Sequence, residues 1–124
     1  MKIRGVDFVL YNVTNFERAK KFYQDTLGLK LLQEFGGAWA EFETGTLALA
    51  IGAYGAQPIP AGQKSNAVAA LAVDDVKAAV EQLKGRGVKI NQEPQEFPPC
   101  FTATIADPDG NEIILHQRKD GTVG

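Results

Sequence analysis

Three stretches of this chain recur at nearly one spacing. Phe8–Val13 aligns with Val68–Val73, Leu27–Leu31 with Arg86–Ile90, and Gly45–Leu49 with Gly110–Ile114, at offsets of 60, 59 and 65 residues. A recurrence of this kind marks an internal duplication. Each copy is too short to bury both faces of a sheet alone. The duplication therefore predicts two joined sheets, with helices covering the outside and a concave cleft left inside.

Each copy reads β-α-β-β-β. Val6–Val13 is an apolar, β-rich run. Asn15 is an N-cap, and Phe16, Ala19, Phe22, Tyr23 and Leu27 follow at spacings of three and four between charged residues. That pattern predicts an amphipathic helix over 15–27, stopped by Gly28. Strands follow at 29–35, 38–43 and 46–51, the first two joined through Gly36-Gly37. Residues 53–65 are rich in glycine and proline; they are read as a linker, either a plain crossover or a lid. In the second copy, 66–73 is a strand and Asp74 or Asp75 caps a helix that ends at Gly85-Arg86-Gly87. A strand begins at Val88, and Pro94, Pro98 and Pro99 mark an edge strand or a loop. Cys100–Ile105 is a further strand. The expected modules are about 1–52 and 66–118 of a single 1–124 domain, and 119–124 is a loose tail.

The last strand matters most for function. Asp107-Pro108-Asp109-Gly110-Asn111 has the chemistry of a tight turn, in which Asp and Asn side chains bond nearby backbone. Alternation after it puts Glu112, Ile114 and His116 on one face and Ile113 and Leu115 on the other.

Composition narrows the function classes. The net charge of −2 leaves no basic footprint, so nucleic acid is not an expected partner. No apolar run approaches a membrane span of about 20 residues. Cys100 is the sole cysteine, which excludes an internal disulfide. A cytoplasmic protein is expected.

Asn15-Phe16-Glu17-Arg18-Ala19 with Phe22-Tyr23 and Leu27-Gly28-Leu29 resembles the first module of the vicinal oxygen chelate superfamily. Val73-Asp74-Asp75-Val76, Leu83 and Arg86-Gly87-Val88 resemble its second-module helix, and Asp107–Asn111 its final hairpin. This superfamily includes glyoxalase I, extradiol dioxygenases and the fosfomycin and bleomycin resistance proteins. The resemblance spans essentially the whole chain. It implies an α+β fold of paired βαβββ modules, two curled mixed sheets around a cleft, and a homodimer.

Metal-dependent members of that superfamily carry ligands on the first and last strand of each module. By the resemblance these positions fall on Phe8, Leu49, Val68 and Ile114. All four are hydrocarbon, whereas a divalent cation needs N, O or S donors. No metal and no cofactor are therefore expected, and the four side chains would form a dry cleft floor. A displaced site of His116 with Glu112 and Glu41 or Glu43 is the alternative; the plainer reading leaves the glutamates solvated. Cys100 is read as core or pocket lining rather than a nucleophile. Trp39 either stacks on a ligand or belongs to the core. Asn12 is a polar group on the Phe8 face that can orient a ligand.

The expected function is a metal-free binding protein. It would hold an apolar or aromatic small molecule on Phe8, Leu49, Val68 and Ile114, with Asn12, Trp39, Glu41, Cys100, Glu112 and His116 around it. The enzymatic alternative is a glyoxalase-like lyase or dioxygenase, using a displaced metal or a metal-free acid/base. A third reading makes the cleft mere core of a protein–protein module.

Overall fold

The computed structural model describes residues 1, 2, 4, 6–55, 57–60, 63 and 67–123. Over these the order is β1 (Phe8–Asn12), α1 (Phe16–Lys21), a π-helical turn (Phe22–Thr26), β2 (Lys30–Phe35), β3 (Trp39–Glu43) and β4 (Ala48–Gly52). The second copy follows as β5 (Ala69–Ala72), α2 (Val76–Gly85), β6 (Lys89–Phe97), β7 (Cys100–Ala106) and β8 (Glu112–Arg118). Two four-stranded sheets result, ordered β1-β4-β3-β2 and β5-β8-β7-β6. In each, the first strand runs parallel to the last and the other pairings are antiparallel. The chain divides into a unit of Met1–Pro58 and a unit of Ile59–Gly124. The expected βαβββ order thus holds in both copies. Much of the linker, and Asn66 at the expected start of β5, lie outside the described residues.

In the first unit α1 packs behind the sheet. Asn15 Oδ1 accepts from the Arg18 amide at 3.0 Å, satisfying a donor left open at the helix start. Phe16, Ala19, Phe22 and Tyr23 are buried. Tyr23 lies 5.9 Å from the Phe42 ring and 6.5 Å from Tyr11, so an aromatic cluster joins helix to sheet. The expected single α-helix over 15–27 ends at Lys21 instead. The Leu27 amide donates to Phe22 O at 2.9 Å, a bond spanning five residues. Phe22 and Tyr23 are consecutive and both buried, and the wider π-turn brings two adjacent rings toward the sheet.

In the second unit Asp75, not Asp74, caps α2: its Oδ1 accepts from the Ala78 amide at 3.0 Å. Gln117 Oε1 accepts from the Val76 amide at 2.9 Å, tying the helix start to β8. Val76, Val80 and Leu83 pack inward with Ile105, Ile113 and Leu115. Gly28 and Gly87 follow the two helical segments with φ of +75° and +77°. Their recurrence reflects the same left-handed exit from each helix, which a side chain opposes. Gly36 and Gly37, both at positive φ, lie in the three-residue β2–β3 turn that Ala38 completes. β6 continues through Pro94 to Phe97 with two register shifts. It is an edge strand, where a missing amide donor is tolerated.

Candidate functional site: the open sheet faces

Residues paired across a sheet share a face, so the registers define what each sheet presents away from its helix. In the first unit Phe8 pairs with Ala48, Leu10 with Ala50 and Asn12 with Gly52. β3 adds Glu43, Glu41 and Trp39 opposite these. Asn12 therefore shares the Phe8 face, as alternation predicts. Phe8 and Leu10 keep 42% and 39% of their surface. Ala48, Ala50 and Gly52 make a strip of small residues, the last two buried, and the Trp39 ring packs on Gly52. A Cβ on Gly52 would sit 3.2 Å from Trp39 Cε3 and 3.3 Å from Leu10 Cδ1. The indole also meets Phe8 edge to face, ring centres 5.4 Å apart. Trp39 is half-buried: of its two expected places it takes the open face, not the core.

Leu49 is the exception. It is 1% exposed and points to the helix side, between Ala48 and Ala50. Ile114 pairs with Ala70 on β5, and the matching partner of Leu10 on β1 is Ala50. The first-unit equivalent of Ile114 is thus Ala50. The alignment slips by one residue in the last strand, and on a strand one residue reverses the face.

Glu41 stands beside Trp39. Its Oε2 accepts from Gln33 Nε2 at 2.5 Å and from Trp39 Nε1 at 3.3 Å. Glu43 lies 3.9 Å from Lys30 Nζ. The face is an aromatic and aliphatic platform with a carboxylate at its margin.

In the second unit the open face carries Ala70 and Ala72 of β5, Glu112, Ile114 and His116 of β8, and Thr102, Thr104 and Cys100 of β7. Val68, preceding β5, is 38% exposed. Glu112, Ile114 and His116 are half-buried while Ile113 and Leu115 are buried, the expected alternation. Cys100 pairs with Arg118 and His116 with Thr102. Cys100 and His116 are therefore diagonal neighbours, which spacing in the sequence could not reveal. An open groove of about 630 Å³ at one end of this sheet is lined by Ile59, Pro60, Lys89, Asn91, Gln92 and Glu112, among others. Asn91 Nδ2 donates to Glu112 Oε2 at 3.0 Å there.

The turn before β8 fixes this arrangement. Asp107 is buried. Its Oδ1 accepts from the amides of Asp109 and Asn111 at 2.9 and 2.8 Å, and its Oδ2 from Asn111 Nδ2 at 2.8 Å. Asn111 thus serves the turn.

The donors do not fit the metal that the superfamily resemblance implies. Phe8, Val68 and Ile114 are hydrocarbon, and so is Ala50, which replaces Leu49 at the fourth position. Among the described residues no three His, Cys, Asp or Glu side chains gather as a metal site. Glu112 and His116 are four residues apart on β8, roughly 13 Å along a strand, too far to share one ion.

The comparisons with known proteins agree with this architecture. The model of the Glyoxalase/Bleomycin resistance protein/Dioxygenase superfamily matches residues 5–115, and the chain belongs to that superfamily. TnmS3, an antibiotic binding protein from Streptomyces sp. CB03234, is 30% identical with a TM-score of 0.77, covering 96% of this chain and 99% of that one. A lactoylglutathione lyase of Neisseria meningitidis is 29% identical over 90% of this chain and 89% of its own length. An Arabidopsis thaliana protein described as "Probable lactoylglutathione lyase, chloroplastic" is 32% identical over 89% of this chain, which spans 35% of that relative. TioX from Micromonospora sp. ML1 shares the fold at TM-score 0.73 and 17% identity, covering 92% of this chain and 98% of its own. Among the described residues no helix is long and apolar enough to cross a membrane.

Proposed function

We propose that this chain is a metal-free small-molecule-binding protein that holds an apolar or aromatic ligand on its open sheet faces. The observation that carries the reading is the first-unit platform. Phe8, Leu10 and the Trp39 ring present apolar surface beside a strip of Ala and Gly residues. A flat ligand gains both buried area and ring contact from such a surface. On the second-unit face Val68 and Ile114 supply separate apolar lining. Asn12, Glu41, Cys100, Glu112 and His116 supply polar or polarisable groups around these surfaces. The similarity to TnmS3, an antibiotic binding protein, supports small-molecule binding. The hydrocarbon at the four expected ligand positions supports the absence of a metal. On this reading the protein is cytoplasmic, acts as a homodimer and does not engage nucleic acid.

The second reading, a glyoxalase-like lyase, is favoured by the Neisseria relative. Elemental analysis of protein purified without chelator, before and after EDTA, separates the two. The binding reading expects no stoichiometric Zn, Ni, Fe or Mn. A metal retained at one per chain overturns it. Binding itself is followed through Trp39, the sole tryptophan, whose emission should shift with planar aromatic compounds.

A further inference from the structure

We infer that the ligand of the first-unit face is a planar aromatic cation, its charge received by Glu41 beside the Trp39 ring; this rests on the binding reading above. Both hydrogen bonds to the Glu41 side chain end on one oxygen. Oε2 takes Gln33 Nε2 and Trp39 Nε1, two neutral donors. Among the described residues Oε1 receives no hydrogen bond and Glu41 makes no ion pair. The nearest cation in the register of that face, Lys30, is directed to Glu43 at 3.9 Å. Glu41 is also half-buried, so its charge is only partly screened by water.

The surroundings select the ligand's shape. Glu41 pairs with Ala50, which is fully buried, so the apolar surface beside the carboxylate is that of the half-buried Trp39 ring. The Trp39 indole is held through its own Nε1–H and by the perpendicular Phe8 ring. A flat ring that lies on this surface puts its margin at Glu41 Oε1. A positive charge there meets the carboxylate, which lies at the Nε1–H edge of the indole, while the ring of the ligand keeps the apolar contact. An anion at that point meets uncompensated repulsion. A neutral ring gains only the apolar contact.

The test uses three bicyclic probes of one size on the full chain: N-methylquinolinium, quinoline in mildly alkaline buffer where it is uncharged, and 2-naphthalenesulfonate. Affinity is read by isothermal calorimetry, with Trp39 emission as the local reporter. The cation should bind about tenfold more tightly than quinoline, and the sulfonate more weakly than either. Glu41→Gln keeps an acceptor for Gln33 and Trp39, and should bring the cation and quinoline to within about threefold of each other. Added salt should weaken the cation and leave quinoline unchanged in wild-type protein, a comparison that needs no variant. Quinoline binding as tightly as the cation overturns the inference and leaves the binding reading standing. A preference that survives Glu41→Gln has the same effect. If no probe binds or shifts Trp39 emission, the binding reading itself fails and the inference with it.

Discussion

Replacing Asp107 with alanine should cost the second unit more than any other surface-turn substitution in the chain. The carboxylate is 5% exposed and accepts from two backbone amides and one side-chain amide within the turn. A hydrogen bond to a charged group contributes about 1.5–3 kcal/mol. Three do not simply add, because Pro108 and Gly110 are exposed and water can reach part of the turn. The backbone bonds from Asp107 N to Asn111 O and from Gly110 N to Asp107 O also remain. The expected loss is roughly 3–5 kcal/mol. With a urea slope near 2 kcal/mol/M, the midpoint should fall by about 1.5–2.5 M. Asp107→Asn keeps an Oδ1 acceptor for the two amides and opposes only Asn111 Nδ2, so about 1–2 kcal/mol is expected. Adding Asn111→Asp restores that pair with donor and acceptor exchanged, and should recover part of the loss. A midpoint moved by less than about 0.5 M in Asp107→Ala, at unchanged slope, would refute the assignment of the carboxylate as the centre of the turn.

Leu49→Ala should cost about 2–5 kcal/mol of stability and leave the affinity of a planar probe unchanged, because Leu49 faces the helix. Phe8→Ala should do the reverse, with less than about 1 kcal/mol lost and a weakened probe in the same calorimetric assay. Gly52→Ala should displace the Trp39 ring, since the added Cβ falls 3.2 Å from Cε3; an unshifted tryptophan emission spectrum would contradict the described packing. The Lys119 ammonium, hydrogen-bonded to Glu96 at 2.5 Å, holds the Glu96 carboxyl below its ordinary range. A depressed carboxylate stabilises the fold above its unfolded pKa, and that contribution is lost as pH falls through the folded value. Lys119→Met should therefore raise the Glu96 midpoint in an NMR titration and flatten the acid limb of stability, an effect that high salt should erase at this exposed pair.

Local chemistry made much of this protein readable from its residues. Asn15 and the pair Asp74-Asp75 announce helix starts, Gly36-Gly37 announces a hairpin, and Asp107–Asn111 announces a turn whose side chains bond its own backbone. Each of these depends on neighbours within a few positions. The duplication is legible for the same reason: two copies of one local programme leave two copies of one pattern. The alternation of Glu112, Ile114 and His116 against Ile113 and Leu115 is a property of a single strand and needs no partner.

What the sequence could not decide depends on partners far along the chain. Tyr23 packs against Tyr11 and Phe42 while its neighbour Phe22 is buried beside it, and burying both consecutive rings accompanies the widening of the helix into a π-turn. Whether Leu49 or Ala50 shares the Phe8 face is a matter of register with β1, where a slip of one residue exchanges the two faces of the sheet. The meeting of Phe8, Trp39 and Glu41 beside Ala50 and Gly52 joins three strands through their pairings, and the diagonal approach of Cys100 to His116 joins two. The sequence by itself determined the element order, the repeat and the chemistry of its turns, because those energies are local. The tertiary structure alone decided which side chains share a face, because register is set by pairing between distant segments.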